Sequence, residues 1–302
     1  MGHTPGYRRY VSARGAAREA VGTLGDFLLP DGFSAPPAVA VLREASVVEE
    51  AGRWAVRTVA GGHGHQRGAL GGRTRRAGDH AVRRPDPVVL VPGFLAGDAS
   101  LSLMAAHLRA HGYRTYRSHI RANVGCTLDA AAQLERRLEH VAVRRGTRVQ
   151  IVGHSLGGML ARGLAVRRPD LVSGIVTLGS PMLAPGAHHG LLTRGVEVLT
   201  RLQRAGFTGL MSADCVAGPC ARESFEESRR PVPPGVGFTA VWSRRDGVVD
   251  WRACVDPLAV SVEVTASHVG MAVDPRVMDE VRRAVERQAW RSAVEVDRGV
   301  GA

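Results

Sequence analysis

A serine lies between glycines where an apolar run gives way to a helical pattern, in the segment "QIVGHSLGGML" (150–160). Gly153, His154, Ser155, Leu156 and Gly157 form a G-x-S-x-G motif between a predicted strand and a predicted helix. Such a turn exposes the serine hydroxyl at a helix N-terminus, and its glycines avoid the crowding that a Cβ would cause. The alternative is a glycine-rich turn that binds phosphate, but the lysine of a P-loop is absent. The motif predicts that Ser155 is a nucleophile.

A serine nucleophile needs a general base, usually a histidine. Only three histidines follow Ser155 in the sequence: His188, His189 and His268. The first two follow the strand that comes directly after the serine helix. His268 follows the last predicted strand and leaves room for a strand that carries an acid between it and the serine. Because nucleophile, acid and base follow one another in this order on such a sheet, we expect His268 to be the base.

The acid that orients this histidine is expected just after the strand "VGFTAVWS" (236–243). Asp246 comes first after the strand, and Gly247 allows a tight turn that aims its carboxylate inward. Asp250 is the alternative, and Asp256 is a more distant third choice. We predict Asp246.

Two backbone N–H groups are expected to stabilise the oxyanion of a tetrahedral intermediate. One is the N–H of Leu156, the residue after the nucleophile, and the other belongs to the loop after the strand "VVLV". Pro92 cannot donate and Gly93 lets the backbone turn, so the sequence predicts Phe94 as the second donor.

Strand and helix patterns alternate from about residue 86 to residue 290 and predict the elements that position these groups. Strands are predicted at 88–92, 113–120, 148–153, 172–179, 236–243 and 259–264, and helices at 100–110, 127–146, 156–168 and 275–290. This alternation predicts an α/β fold with a mostly parallel sheet and helices on both faces. Ligands of such sheets bind beyond the carboxyl ends of the strands.

The chain divides into three predicted parts. Residues 1–60 form an N-terminal helical extension with helices at 11–29 and 36–60, and residues 61–85 form a flexible linker rich in glycine and arginine. Residues 86–292 form the main domain, with a cap or lid insert at about 181–234. The linker contains His63, His65 and His80, which we interpret as solvated loop histidines, a metal site being the alternative.

Within the insert, residues 190–211 carry an apolar stripe at helical spacing, flanked by arginines. The helix is either a lid that excludes water from the site or a helix packed permanently on the sheet. An apolar face with arginines beside it also favours peripheral contact with an anionic membrane.

The chain of 302 residues has a net charge of +12, and all 40 of its basic residues are arginine. A balance this basic ordinarily indicates nucleic acid or an anionic membrane. The complete absence of lysine indicates a compositional bias instead, and no basic segment rich in aromatic residues is present to stack bases. We therefore expect no nucleic-acid partner.

The N-terminal 30 residues are too polar for a signal peptide and no stretch is long enough to span a membrane, so the expected location is the cytoplasm. No CxxC pair occurs among Cys126, Cys215, Cys220 and Cys254, which gives a zinc site little support. A Cys215–Cys220 disulfide is an alternative, but reduced thiols are expected in the cytoplasm.

Together, "LVPGF", "GHSLGG", "LGSP", "SRRDGVVD" and "SHVGM" resemble the α/β-hydrolase superfamily over about residues 86–290. More narrowly they resemble bacterial esterases and lipases, in which the triad and oxyanion positions match Ser155, Asp246, His268, Phe94 and Leu156. The resemblance implies hydrolysis of a small-molecule ester or lipid through an acyl-enzyme, with no cofactor. The segment "NVGCT" (123–127) also looks like this family, without an assigned role.

Other functions are compatible with the same residues. An acyltransferase would use the same triad with an acceptor other than water, and a non-catalytic binding protein would use only the fold. A protein that binds nucleic acid or a membrane surface would use the arginine-rich linker, in which case its binding would be sensitive to salt.

Overall fold

Short apolar segments form one parallel sheet in the computed structural model, which describes residues 27–65 and 86–299. The strands are β1 (Val88–Val91), β2 (Thr115–Arg117), β3 (Val149–His154), β4 (Val172–Leu178), β5 (Gly237–Trp242) and β6 (Val260–Glu263). Their order is β2-β1-β3-β4-β5-β6, with every neighbouring pair parallel. The predicted α/β class with a mostly parallel sheet is confirmed.

Helices cover both faces of the sheet. The α-helices are α1 (Val47–His65), α2 (Ser102–Ala110), α3 (Thr127–Arg145), α4 (Leu156–Arg167), α5 (Gly190–Arg204), α6 (Ala213–Val216), α7 (Pro219–Arg229) and α8 (Pro275–Gly299). The 3-10 helices are Ala38–Ser46, Asp98–Leu101, Trp251–Cys254 and Val269–Ala272. Within the described residues, no helix combines the length and the apolar character that crossing a membrane requires.

Alternate residues of β1 contribute to two separate hydrophobic cores. Val88 and Leu90 pack with residues of α2 and α8, whereas Val89 and Val91 pack with residues of α3 and α4. Because both faces are covered, the strand reads as an unbroken apolar run. The two cores hold β1 and β3 rigidly, which fixes the loops that follow these strands.

The N-terminal extension differs from its prediction. The expected helix at 36–60 is a 3-10 helix, Ala38–Ser46, followed by α1, which runs to His65 and so enters the predicted linker. Nine residues is long for a 3-10 helix, and tertiary contacts hold it: Ala40 is buried, and the Nε2 of His189 lies 3.1 Å from the carbonyl oxygen of Ala38. Of the predicted helix at 11–29, residues 11–26 lie outside the described part of the chain, as do residues 66–85 of the linker, and residues 27–29 are not helical.

The insert between β4 and β5 contains α5, α6 and α7. The predicted lid helix is shorter than expected, because α5 ends at Arg204 and the chain turns at Gly206, whose φ is +98°. Leu192 and Val196 of α5 line the cavity described below, whereas Leu191 is exposed on the other side. Cys126, Cys215, Cys220 and Cys254 are all free thiols, so the Cys215–Cys220 disulfide is not formed.

Candidate active site

Ser155 occupies the sharp turn between β3 and α4. Its φ is +52°, a region that costs a non-glycine residue roughly 1–3 kcal/mol, and its backbone N–H donates to the carbonyl oxygen of Leu178 (2.8 Å). A Cβ on Gly153 would lie 2.4 Å from the carbonyl oxygen of Gly157, and one on Gly157 would lie 2.3 Å from that of Val91. The two glycines of the motif are therefore required by the close approach of neighbouring backbone.

Asp246 and His268 are in direct contact. The Nδ1 of His268 lies 2.7 Å from Oδ2 of Asp246, while Oδ1 of Asp246 accepts the backbone N–H groups of Val248 and Val249, both at 2.8 Å. Both side chains are almost fully buried. Since a carboxylate only accepts, His268 carries a proton on Nδ1, which leaves Nε2 as the basic nitrogen.

The pKa of His268 is raised above its ordinary value by opposing effects. Burial disfavours the charged imidazolium, but the charge and hydrogen bond of Asp246, with a contribution from the charge of Glu44, outweigh burial. The imidazolium is therefore stabilised in this position, as a general base requires once it has accepted a proton.

The other two acids considered from the sequence have different partners. Asp250 accepts hydrogen bonds from the backbone N–H and Nε of Arg252 (3.1 and 3.0 Å) and from the backbone N–H of Ser34 (3.2 Å). Asp256 forms a buried ion pair with Arg162, whose Nε lies 3.0 Å from Oδ2. Neither carboxylate contacts His268.

Ser155, Asp246 and His268 lie at the same edge of the sheet. The serine follows β3, Asp246 follows β5 and His268 follows β6, so all three lie beyond the carboxyl ends of parallel strands. A Cβ on Gly179, next to the residue that accepts the Ser155 N–H, would lie 2.9 Å from Nδ1 of His268. Within the described chain, the Ser155 hydroxyl makes no hydrogen bond, and it borders an open cavity instead.

His154, the residue before the serine, packs against the catalytic candidate His268. Its Nε2 lies 2.9 Å from the backbone carbonyl oxygen of His268, and the two rings are 4.8 Å apart between centroids. Burial, together with the charge of His268, lowers the pKa of His154 to about 4, so its ring is neutral at neutral pH. Because a carbonyl oxygen only accepts, this neutral ring carries its proton on Nε2 and fixes the His268 backbone.

The loop after β1 lies against the serine. A Cβ on Gly93 would lie 3.0 Å from the Cβ of Ser155, and Phe94 and Leu156 line the cavity next to the serine. Leu95, the next residue in the loop, has a φ of +61°. Phe94, Leu156 and Ser155 thus line the same cavity, and the role of the two backbone N–H groups stays a prediction.

Sequence reasoning left Asn123 without a role, and it braces this loop. The buried side-chain amide of Asn123 donates to the carbonyl oxygen of Pro92 (3.0 Å). Its backbone carbonyl accepts the N–H of Leu95 (3.1 Å), and its own N–H donates to the carbonyl of Ala96 (2.8 Å). These three bonds hold the strained loop, which explains one residue of the "NVGCT" segment.

Sequence reasoning also missed Glu44 of the N-terminal extension. Its Oε1 accepts the backbone N–H groups of Gly247 and His268, both at 3.0 Å, and its Oε2 accepts that of Val269 (2.8 Å). One carboxylate therefore ties together the loop that carries Asp246 and the loop that carries His268.

Glu50, six residues further along the extension, reinforces the same loop. It is only 1% exposed, and its two oxygens accept the backbone N–H (2.9 Å) and the hydroxyl (2.7 Å) of Ser267. No spacing rule links these glutamates to the serine motif, because the partners are more than 200 residues apart in the sequence.

A cavity of about 180 Å³ opens beside the serine. The main domain and the insert form its walls together, and its larger side chains include Met159, Leu192, Val196, Met211, Phe225 and Val249. Among the described residues that line it there is no aspartate, glutamate or arginine. An apolar group fits this space without burying an unpaired charge.

Comparison with known proteins agrees with this architecture. A sequence profile of the alpha/beta hydrolase fold family matches residues 86–198. The sequence matches no curated protein. The mature form of the Bacillus licheniformis lipase BlEst2 superposes with a TM-score of 0.52 at 15% identity, covering 67% of this chain and 92% of that one.

Two further solved structures are similar. The propeptide form of the same lipase gives a TM-score of 0.52 at 15% identity, covering 68% of this chain and 51% of that one. The monoacylglycerol lipase of Paleococcus ferrophilus gives a TM-score of 0.46 at 17% identity, covering 69% of this chain and 97% of that one. With its parallel sheet, its serine turn after β3 and the profile match over residues 86–198, this chain has the α/β-hydrolase fold.

Proposed function

We propose that this protein is a serine hydrolase that cleaves carboxylic esters of the esterase or lipase type. The observation that carries the proposal is a strained serine at the edge of an apolar cavity, beside a buried Asp246–His268 pair. A binding protein has no need of this combination, because holding Ser155 at a positive φ costs stability.

In the proposed reaction, Ser155 Oγ attacks the ester carbonyl carbon while Nε2 of His268 takes its proton. Asp246, hydrogen-bonded to Nδ1 at 2.7 Å, stabilises the resulting imidazolium and holds the ring in orientation. The backbone N–H groups of Phe94 and Leu156 stabilise the oxyanion. His268 then returns the proton to the departing alcohol, and a water activated by the same histidine releases the acid from the acyl-enzyme.

The cavity supports an apolar acyl group as the part of the substrate bound beside the serine. Its described walls carry no charged arginine, aspartate or glutamate, and α5 contributes Leu192 and Val196 to them. We infer a small-molecule ester or a lipid as substrate, and the proposed reaction requires no cofactor.

Replacement of Ser155 tests the proposal. We expect Ser155→Ala to lower kcat for p-nitrophenyl esters by at least about 10³-fold, because the bond-forming oxygen is lost. A fluorophosphonate should add one label to the wild-type chain, located at Ser155 by peptide mapping, and none to the variant. Ser100→Ala, which removes an exposed hydroxyl, is the matched control and should keep both activity and labelling.

Retained ester turnover by folded Ser155→Ala protein would reject the serine mechanism. Alcohols added to the assay separate hydrolysis from acyl transfer, since an acyltransferase would form the new ester in preference to the free acid.

A further inference from the structure

Three cysteine thiols converge at the wall of the cavity. The sulfur atoms of Cys126, Cys215 and Cys220 all lie within 4.8 Å of one another, and all three are free. They come from three separate elements: Cys126 directly precedes α3 of the main domain, Cys215 lies in α6, and Cys220 is the second residue of α7. Cys215 also lines the cavity.

The spacing of the sulfurs suits a shared ion. In a tetrahedral thiolate site each zinc–sulfur bond is about 2.3 Å, which places neighbouring sulfurs about 3.8 Å apart. Three thiols already within 4.8 Å of one another need only small side-chain movements to reach that arrangement. The fourth position of the tetrahedron remains for a water or another small ligand.

The surroundings of Cys126 and Cys220 disfavour their thiolate forms. Burial raises the pKa of Cys126, although the N–H groups of Asp129 and Leu128 at the start of α3 act in the opposite direction. Burial and the neighbouring charges of Cys126 and Cys215 raise the pKa of Cys220 to about 12. A divalent ion that binds thiols displaces their protons.

We propose that Cys126, Cys215 and Cys220 bind one thiophilic divalent metal ion of the zinc class, which fastens α6 and α7 of the insert to the main domain. Binding forms three metal–sulfur bonds, releases thiol protons to the solvent and involves no oxidation. None of the three cysteines takes part in the proposed serine chemistry, so metal binding can be tested independently of ester hydrolysis. The sequence did not reveal it, because Cys126 is far from the other two along the chain.

Titration with Co²⁺ tests the site in the full-length, reduced and chelator-treated protein. We expect one Co²⁺ per chain, with a thiolate-to-cobalt charge-transfer band and the visible bands of tetrahedral cobalt, and we expect Zn²⁺ to displace it. Cys126→Ser, Cys215→Ser and Cys220→Ser should each weaken cobalt binding by at least about tenfold. Cys254→Ser removes a buried thiol outside the cluster and should leave the titration unchanged.

A measurement on the wild-type chain covers the case in which a serine variant does not fold. Zn²⁺ should protect Cys126, Cys215 and Cys220 from alkylation, as read by peptide mapping, and should raise Tm because it binds the native state. Cobalt spectra without a thiolate band, cobalt affinity that is unchanged in folded Cys220→Ser protein, or two of the three thiols joined in a disulfide in protein purified without reductant would each overturn the proposal.

Discussion

The carboxylate of Asp246 has both oxygens engaged. Oδ2 faces His268, while two backbone N–H groups hold Oδ1, so the group cannot rotate without breaking a hydrogen bond. Asp250 has a similar set of partners among Arg252 and Ser34, but none of them is a histidine. At the scale of single residues, the hydrogen-bond partners therefore distinguish Asp246 from Asp250, which lies only four positions further along the sequence.

This difference predicts opposite outcomes for two equivalent substitutions. Asp246→Asn should lower kcat for p-nitrophenyl esters by about 10³-fold or more, because an amide can no longer stabilise the imidazolium. Asp250→Asn should change kcat far less and serves as the control. If Asp250→Asn proved the more damaging, the assignment of the acid would be wrong.

Asp246→Asn should also change the pH dependence of the reaction. In the wild-type protein, kcat/KM should rise with pH through a midpoint above 6.5, because the base must be unprotonated and Asp246 raises the pKa of His268. Residual activity of Asp246→Asn should reach its half-maximum at a lower pH, since the charge that favours the imidazolium has been removed. A midpoint that stays in place would contradict the proposed coupling.

At the scale of elements, the N-terminal extension acts on the site through Glu44. The carboxylate of Glu44 accepts three backbone N–H groups. In Glu44→Gln one of its oxygens becomes an NH₂ group, which cannot accept, so at least one of these N–H groups loses its hydrogen bond. We expect kcat to fall about tenfold or more with little change in KM, because the loops of Asp246 and His268 lose their common anchor.

A positioning role for Glu44 has a readout that a general loss of stability would not give. The charge of Glu44 contributes to the raised pKa of His268, so the acidic limb of the pH profile should move to lower pH in Glu44→Gln. Glu49→Gln changes a neighbouring carboxylate that is 68% exposed and is the matched control. Equal effects of the two variants would argue against the anchor.

Helix α5 contains two valines in different environments, one at the cavity and one at the surface. Val196 lines the cavity, whereas Val198, two residues along the same helix, is 51% exposed. Val196→Trp should fill acyl space and lower kcat/KM for long-chain relative to short-chain esters by about tenfold. Val198→Trp should leave the chain-length profile as it is. An unchanged profile in Val196→Trp would place the acyl group elsewhere.

Elements with a local signal were well predicted from the sequence. Helix α4 was expected at 156–168 and spans Leu156–Arg167, because the serine motif marks its start and Pro169 its end. Helix α3 ends before Gly146, whose φ of +64° suits a helix terminus. The contacts of Glu44 and the convergence of Cys126 with Cys215 were not foreseen, since long-range contacts leave no period or motif in the sequence.

At the scale of the whole molecule, the extension belongs to the same folded unit as the sheet. Helix α1 packs against α8 and against the 3-10 helix Val269–Ala272, and Trp54 of α1 packs on the core shared by α2 and α8. The described part of the predicted extension therefore packs directly on the main domain.

Removal of residues 1–65 tests this unity. Four backbone N–H groups, those of Gly247, Ser267, His268 and Val269, would lose their acceptors at about 1–3 kcal/mol for each one left buried. We expect Tm to fall by about 10 °C or more and ester hydrolysis to be lost. The full-length Glu44→Gln, Glu50→Gln double variant separates the hydrogen bonds from the apolar contacts. A shortened chain that is as stable and as active as the whole would refute the argument.

The single carboxylate that joins the two loops also has a consequence for biosynthesis. Glu44 is translated more than 200 residues before its partners Gly247, His268 and Val269. The hydrogen bonds of Glu44 can therefore form only after the segment that contains His268 and Val269 has been translated and has met the segment that contains Glu44. A gene shortened to begin at residue 86, where the match to the alpha/beta hydrolase fold profile starts, would encode every described strand of the sheet and still lack Glu44, which joins the loop of Asp246 to the loop of His268.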